Sequence, residues 1–242
     1  MTSSPFSLAG KQVLVIGASS GIGAATARLC ARLGANLTLC GRNRERLEQV
    51  RNSLEGGGHT ALAPHLTGDL TDAAAREALV DALPVLDACV FATGTGAQLP
   101  VALTQQHLDA VFGVNVNAPL LLTQELLARQ KIGDQASLVY VTGAAQHWTF
   151  GGSAAHAASM AALNAAVRVI AAEHAGQGVR ANCVAPGLID TAQPVGAHGP
   201  APLGPIDADD VAAGIAYLLA PASRWVSRAS LVIDGGLSLH VR

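Results

Sequence analysis

The chain has 242 residues, 50% of them hydrophobic and 13% charged, with a formal net charge of −2. That is enough apolar material for a substantial core in one α/β domain, and it excludes a disordered chain. The near-neutral balance and an aromatic content of 3% argue against nucleic acid or an anionic membrane as partner, and against a base-stacking platform.

Four cysteines (Cys30, Cys40, Cys89 and Cys183) are scattered without metal-type spacing in apolar contexts. They are expected to be buried free thiols of a reducing, cytoplasmic compartment. No His/Cys/Asp cluster has metal-like spacing. The first eleven residues lack a cationic stretch followed by an apolar core, so no signal peptide is expected. No apolar run reads as long and unbroken enough for a membrane span.

Strand and helix patterns then alternate from end to end. Gln12 to Ile16 is an apolar strand, and Gly21 to Leu33 an Ala-rich helix stopped at Gly34. Asn36 to Cys40 is a second strand, followed by a charged helix from about Asn43 to Leu54. Ala61 to Leu66 suggests a third strand, which Pro64 marks as an edge. Ala73 to Leu83 reads as helix and Ala88 to Ala92 as a buried strand. One long helix is predicted from Thr104 to Gln130, then a strand from Ala136 to Thr142. Gly152 to Ala175 is helix, Val179 to Val184 strand, Asp207 to Leu219 helix, and Leu231 to Ile233 a last strand. Apolar strands alternating with helices predict a single Rossmann-like doubly wound domain over residues 1–242. Its parallel sheet of about seven strands would carry helices on both faces, with a nucleotide at the switch point.

The first strand runs through Gly17, Ala18, Ser19, Ser20, Gly21, Ile22 and Gly23 straight into a helix. Glycines there permit a tight turn and bring backbone N–H groups to a pyrophosphate at a helix N-terminus. The second strand ends at Gly41 followed by Arg42, where a site preferring NAD(H) usually carries an acid. A guanidinium in that place offers a planar fork to a 2′-phosphate. The alternative is that Arg42, Arg44 and Arg46 are the solvated start of a helix.

Further motifs follow in order: Asp69-Leu70-Thr71-Asp72, a strand end finishing at Gly94, Asn115 within Val114–Ala118, Asn182-Cys-Val-Ala-Pro186-Gly187-Leu-Ile189-Asp-Thr191, and Asp234-Gly-Gly236. With the Gly-x-x-x-Gly-x-Gly spacing of the first turn, the chain resembles a short-chain dehydrogenase/reductase over nearly its full length. The resemblance implies NADP(H) rather than NAD(H) as cofactor, held mainly by Arg42 with Ser19 or Ser20 assisting. It also implies that Asp69 and Leu70 contact the adenine, and that the segment with Pro186, Gly187, Ile189 and Thr191 covers the nicotinamide carboxamide. Where the family has Asn-Asn-Ala-Gly, only Gly94 survives, so that junction is expected to be held by apolar packing.

The family moves hydride between nicotinamide and a carbonyl carbon, using a Tyr-x-x-x-Lys pair, a Ser and an Asn. Here the Tyr position holds His156, the Lys position Met160 and the Ser position Gly143; only Asn115 matches. A thioether has no charge and no donor, and glycine has no hydroxyl. Three readings stay open: a noncatalytic NADP(H)-binding member, an active oxidoreductase on a small carbonyl or alcohol that delivers its proton through His156, and a lyase or isomerase reusing the pocket. His147, beside Trp148, is a further pocket candidate. Thr142 is expected to face away from the pocket, as neighbouring strand residues do. The stretch after Thr191 is short and rich in Pro and Gly, which predicts poor enclosure of a substrate. The Ala-rich helix from Ser153 to Ala175 suggests a homodimer or homotetramer, or association with an active relative.

Overall fold

In the computed structural model, residues 4–55, 65–95, 103–144, 154–189 and 201–239 are described. Strands β1 (Gln12–Ile16), β2 (Asn36–Gly41), β3 (His65–Thr67), β4 (Leu86–Phe91), β5 (Ile132–Val141), β6 (Arg180–Pro186) and β7 (Ser230–Ile233) form one sheet. Its order is β3-β2-β1-β4-β5-β6-β7, and every pairing is parallel. The chain winds outward from β1 to β3 and then crosses to β4, so the switch point lies between β1 and β4. A crevice outside their carboxyl ends is where such sheets hold ligands.

Both faces of the sheet are buried, because alternate strand residues point to opposite sides. Val13, Val15, Leu39, Val90 and Val184 pack on one face with residues of α1 (Gly21–Arg32), α2 (Arg44–Glu55) and α7 (Ala208–Leu219). Leu14, Ile16, Cys89, Leu138 and Tyr140 pack on the other with α3 (Ala73–Ala82), α5 (Ala118–Ala128) and α6 (Ala154–Glu173). All four cysteines are buried and unpaired. Burial alone pushes the thiols of Cys30, Cys40 and Cys183 up to about 12. Helix α1 stops as expected at Gly34, whose φ of 92° suits glycine.

Several boundaries differ from the sequence expectation. The single long helix after Thr104 is two: α4 (Gln105–Phe112) and α5, joined by a π-helical turn over Gly113–Asn117. Pro119 explains the break. It has no amide to give to the carbonyl of Asn115, and its ring crowds that carbonyl, so the ladder loosens and Ala118 N–H bonds Gly113 O instead. Strand β5 begins at Ile132 rather than Ala136, with Gln135 at a φ of 62° and a register shift against β4. Strand β6 continues to Pro186, paired with Ile233. Strand β3 is the expected edge but covers only His65–Thr67; residues 61–64 lie outside the described residues.

The expectation about membrane spans also needs correction. Helix α6, with 20 residues and a mean hydropathy of 1.3 over its best window, is long and apolar enough to cross a bilayer by length and composition alone. Ala155, Ser159, Met160, Leu163, Val167 and Ala171 are nevertheless buried, and the helix lies against β6 and α4. Core helices pass the same test.

Candidate functional site

The carboxyl ends of β1, β2, β4, β5 and β6 open into a cleft of about 1250 Å³. Its middle is the turn after β1. Gly17 has a φ of 80°, and a Cβ there would sit 2.5 Å from Ala92 O. A Cβ on Gly23 would sit 2.2 Å from Gly17 O. These two glycines therefore let the turn fold onto β4 and onto itself. Gly21, at a φ of 51°, faces open space. Ser20 stands at the N-cap of α1 in extended conformation, yet its hydroxyl does not take up the first-turn amides. Those donors remain available, at the positive end of a twelve-residue helix, for an anion. This cradle fits the pyrophosphate of a dinucleotide.

At one end of the cleft, Ser19, Gly41, Arg42, Asn43 and Arg46 come together. A Cβ on Gly41 would approach Ser19 Oγ to 3.3 Å and Leu47 Cδ2 to 3.4 Å, so an acid at this strand end would be crowded. Of the three arginines, Arg44 turns along its own helix to Glu48 at 3.2 Å, whereas Arg42 and Arg46 line the cleft. Arg46 is a second guanidinium that sequence reasoning left among the solvated charges.

Asp69 and Leu70 also line this end. The amide and hydroxyl of Thr71 bond Asp69 Oδ1 at 3.0 and 2.8 Å. They hold its carboxyl below the usual range against slight desolvation, helped by the nearby charge of Arg42. The loop itself is tied from beneath by Arg76, which is 6% exposed. Its Nη1 donates to Leu70 O and Thr71 O at 3.0 and 3.3 Å, and its Nε to Glu125 Oε1 at 2.8 Å. Nothing local in the sequence signals this positioning arginine, because its partner is 49 residues away.

The junction after β4 is held by more than the expected apolar packing. Phe91 does stack flat on Tyr140 with centroids 4.4 Å apart, and Tyr140 shares a 2.8 Å hydrogen bond with Thr123 Oγ1. Burial raises the Tyr140 phenol well above its ordinary value. The turn at Gly94 and Thr95, however, is clamped by Asn115. Thr95 N–H donates to Asn115 Oδ1 at 2.8 Å, and Asn115 Nδ2 donates to Thr95 O at 2.9 Å and to Ser159 Oγ at 2.9 Å. The π turn places Asn115 for this task. Both amide hydrogens are committed and the side chain is 1% exposed, so Asn115 holds the loop.

Gly143, His156 and Met160 line the opposite end of the cleft together. Met160 is 2% exposed. His156 Nδ1 lies 3.3 Å from Thr95 O. Thr142, expected to face away from the pocket, lines the cleft as well, but its hydroxyl is committed to Val184 O at 3.2 Å. Above them run Pro186, Gly187, Leu188 and Ile189. Gly187 is required because a Cβ would meet Asp234 Cβ at 2.8 Å. Asp234 in turn accepts from the amides of Gly236 and Ser238 at 2.9 and 2.7 Å, setting Leu237 into the cleft wall. Ile189 bridges to Ile206. Thr191, His147, Trp148 and the Pro/Gly-rich stretch up to residue 200 lie outside the described residues. Sequence reasoning missed Ser159, although it is a polar residue three positions from His156 in an Ala-rich helix, the spacing that shares a face.

Residues 17–238 match the family model described as enoyl-(acyl carrier protein) reductase. A glucose 1-dehydrogenase of Gluconobacter oxydans is 32% identical over 255 residues, covering 96% of this chain and 93% of the relative. An NADPH-dependent aldehyde reductase-like chloroplastic protein of Arabidopsis thaliana is 31% identical, with 96% of each chain covered. The crystal structure of a dehydrogenase/reductase from Sinorhizobium meliloti 1021 superposes with a TM-score of 0.88 at 31% identity, covering 96% of this chain and 97% of that one. With the parallel seven-stranded sheet, the glycine turn and the Pro-Gly segment in their places, the chain belongs to the short-chain dehydrogenase/reductase family.

Proposed function

We propose that this protein binds a 2′-phosphorylated nicotinamide dinucleotide and has lost ordinary carbonyl-reductase chemistry. One observation carries the reading: Gly143, His156 and Met160 sit together on the cleft wall where the family's proton-transfer residues belong. A bound nicotinamide supplies a site that gives or takes hydride. The residues of this chain hold it there: the α1 amides and Gly17–Gly23 turn at the pyrophosphate, Arg42 and Arg46 at the 2′-phosphate, Pro186 to Ile189 at the carboxamide. Among the described residues none that lines the cleft is a lysine, so no lysine ammonium there depresses the pKa of a neighbouring acid. A positioned acid or base is worth about 10²–10⁴-fold, and several cooperating groups are gone. NADPH dependence in the name of the Arabidopsis relative agrees with the cofactor reading.

A second reading is supported by the dehydrogenase and reductase names of the relatives and by the imidazole facing the cleft. In it the protein turns over and His156 handles the proton. Thermal shift with NADPH against NADH tests the cofactor reading, since a ligand of the folded state stabilises by RT ln(1 + [L]/Kd). NADPH should raise the melting temperature more than NADH. Across a panel of aldehydes and ketones, NADPH should be consumed at background rate. The combined variant Gly143→Ser, His156→Tyr, Met160→Lys should gain weak reduction. Robust consumption by the unaltered protein that survives His156→Ala would overturn the proposal; consumption abolished by His156→Ala selects the second reading. Exposed Ala158, Ala161, Ala165 and Val169 on α6 support self-association, which light scattering reads directly.

A further inference from the structure

Four residues around His156 form a closed set of hydrogen bonds, and their fixed backbone partners indicate which side-chain atoms donate and which accept. Thr95 N–H can only donate, so the atom of Asn115 facing it at 2.8 Å is the oxygen. Asn115 Nδ2 then donates to Thr95 O and to Ser159 Oγ. The Ser159 hydroxyl passes its own hydrogen to His156 O at 2.7 Å. Thr95 O is a carbonyl and can only accept, so the His156 Nδ1 that lies 3.3 Å from it carries a hydrogen. In a neutral imidazole the other nitrogen is then bare.

We propose that His156 is fixed as the Nδ1–H tautomer and presents Nε2 to the cleft as a hydrogen-bond acceptor, so that the pocket selects a hydroxyl-bearing ligand over the matching carbonyl compound. The family's phenol and serine can each donate to a carbonyl oxygen; here the corresponding wall carries a thioether, a glycine and an acceptor nitrogen. A carbonyl oxygen placed against Nε2 would meet lone pair with lone pair. An alcohol gives its hydrogen to the same atom. The assignment rests on the dinucleotide cleft described above only for where the ligand sits, and the tautomer is fixed by the protein alone.

The test uses the full chain labelled with ¹⁵N at its eight histidines. Two-bond ¹H–¹⁵N correlation spectra at about pH 8.5, two units above an ordinary imidazole, distinguish the tautomers, with His156→Gln as the assignment control. Cofactor-free protein should show His156 protonated at Nδ1 and bare at Nε2; the opposite tautomer overturns the proposal. Cyclohexanol and cyclohexanone are then titrated into NADPH-loaded protein. Cyclohexanol should bind about fivefold more tightly, the worth of one net hydrogen bond, and move the Nε2 resonance. In His156→Phe the ratio should fall to about one. Equal affinities in the unaltered chain, or no binding of either probe, overturn the hydroxyl assignment. Failure of NADPH to bind, read separately by thermal shift, overturns the cofactor reading and leaves the tautomer result standing.

Discussion

Glycine at position 17 is constrained twice over, by backbone that a side chain would strike and by a left-handed conformation. Gly17→Ala must place a methyl 2.5 Å from Ala92 O at a φ of 80°. Overpacking and left-handed strain together should cost about 3 kcal/mol. The urea midpoint should fall and the NADPH-induced thermal shift should vanish. Arg42→Ala acts differently. The side chain is exposed, so stability should be unchanged within about 0.5 kcal/mol. Loss of a charge-assisted contact to a 2′-phosphate should weaken NADPH binding about tenfold and leave NADH binding unaltered. Equal weakening of both cofactors would place Arg42 away from the 2′ position.

Among the elements, the loop between β3 and α3 is positioned from a distance. Arg76 on α3 holds the Leu70 and Thr71 carbonyls while Glu125 on α5 balances its charge. The side chains are 7% and 24% exposed, so the pair is largely but not wholly removed from water. Glu125→Ala should destabilise by about 2 kcal/mol, below the cost for a fully buried pair. That corresponds to a melting temperature lower by about 4–8 °C in a chain of this size. Glu125→Gln, which keeps an acceptor, should recover about half of it, and both variants should weaken binding of the adenosine end. Pro119 interrupts the helix, and the interruption brings Asn115 onto Thr95 and Ser159. A proline inside a predicted helix was the visible signal; what it would re-aim was not.

For the molecule as a whole, acid stability follows from carboxylates tied to the backbone. Partial burial works against ionisation of Asp87, but Lys11 at 2.8 Å and the Gln12 amide outweigh it and hold the carboxyl below its ordinary value. Asp234 behaves likewise: desolvation is outweighed by the hydroxyl and amide of Ser238 and by the Gly236 amide. Each group has a folded pKa below its unfolded value of about 3.9. Its stabilising contribution is therefore complete above that value and is lost as pH falls through the folded one. The urea midpoint should show an acid limb that opens only below about pH 4. Asp234→Asn should make that limb shallower while loosening the wall formed by Leu237. A limb already steep at pH 5 would point to other groups.

The alternation of apolar strands with helices, the glycine turn, the Gly34 stop and the Pro-Gly segment were all legible in the sequence, because each is a local consequence of periodicity or backbone freedom. That Gly143, His156 and Met160 share one cleft was legible too, since spacing along one helix and one strand end brings them together. Only the tertiary structure decided that His156 Nδ1 meets Thr95 O, which of three arginines enter the cleft, and that Asn115 is spent on holding Thr95. Those outcomes depend on partners up to 61 residues apart. A hydrogen bond between such residues is set by where the sheet brings them, and no local pattern in the chain records it.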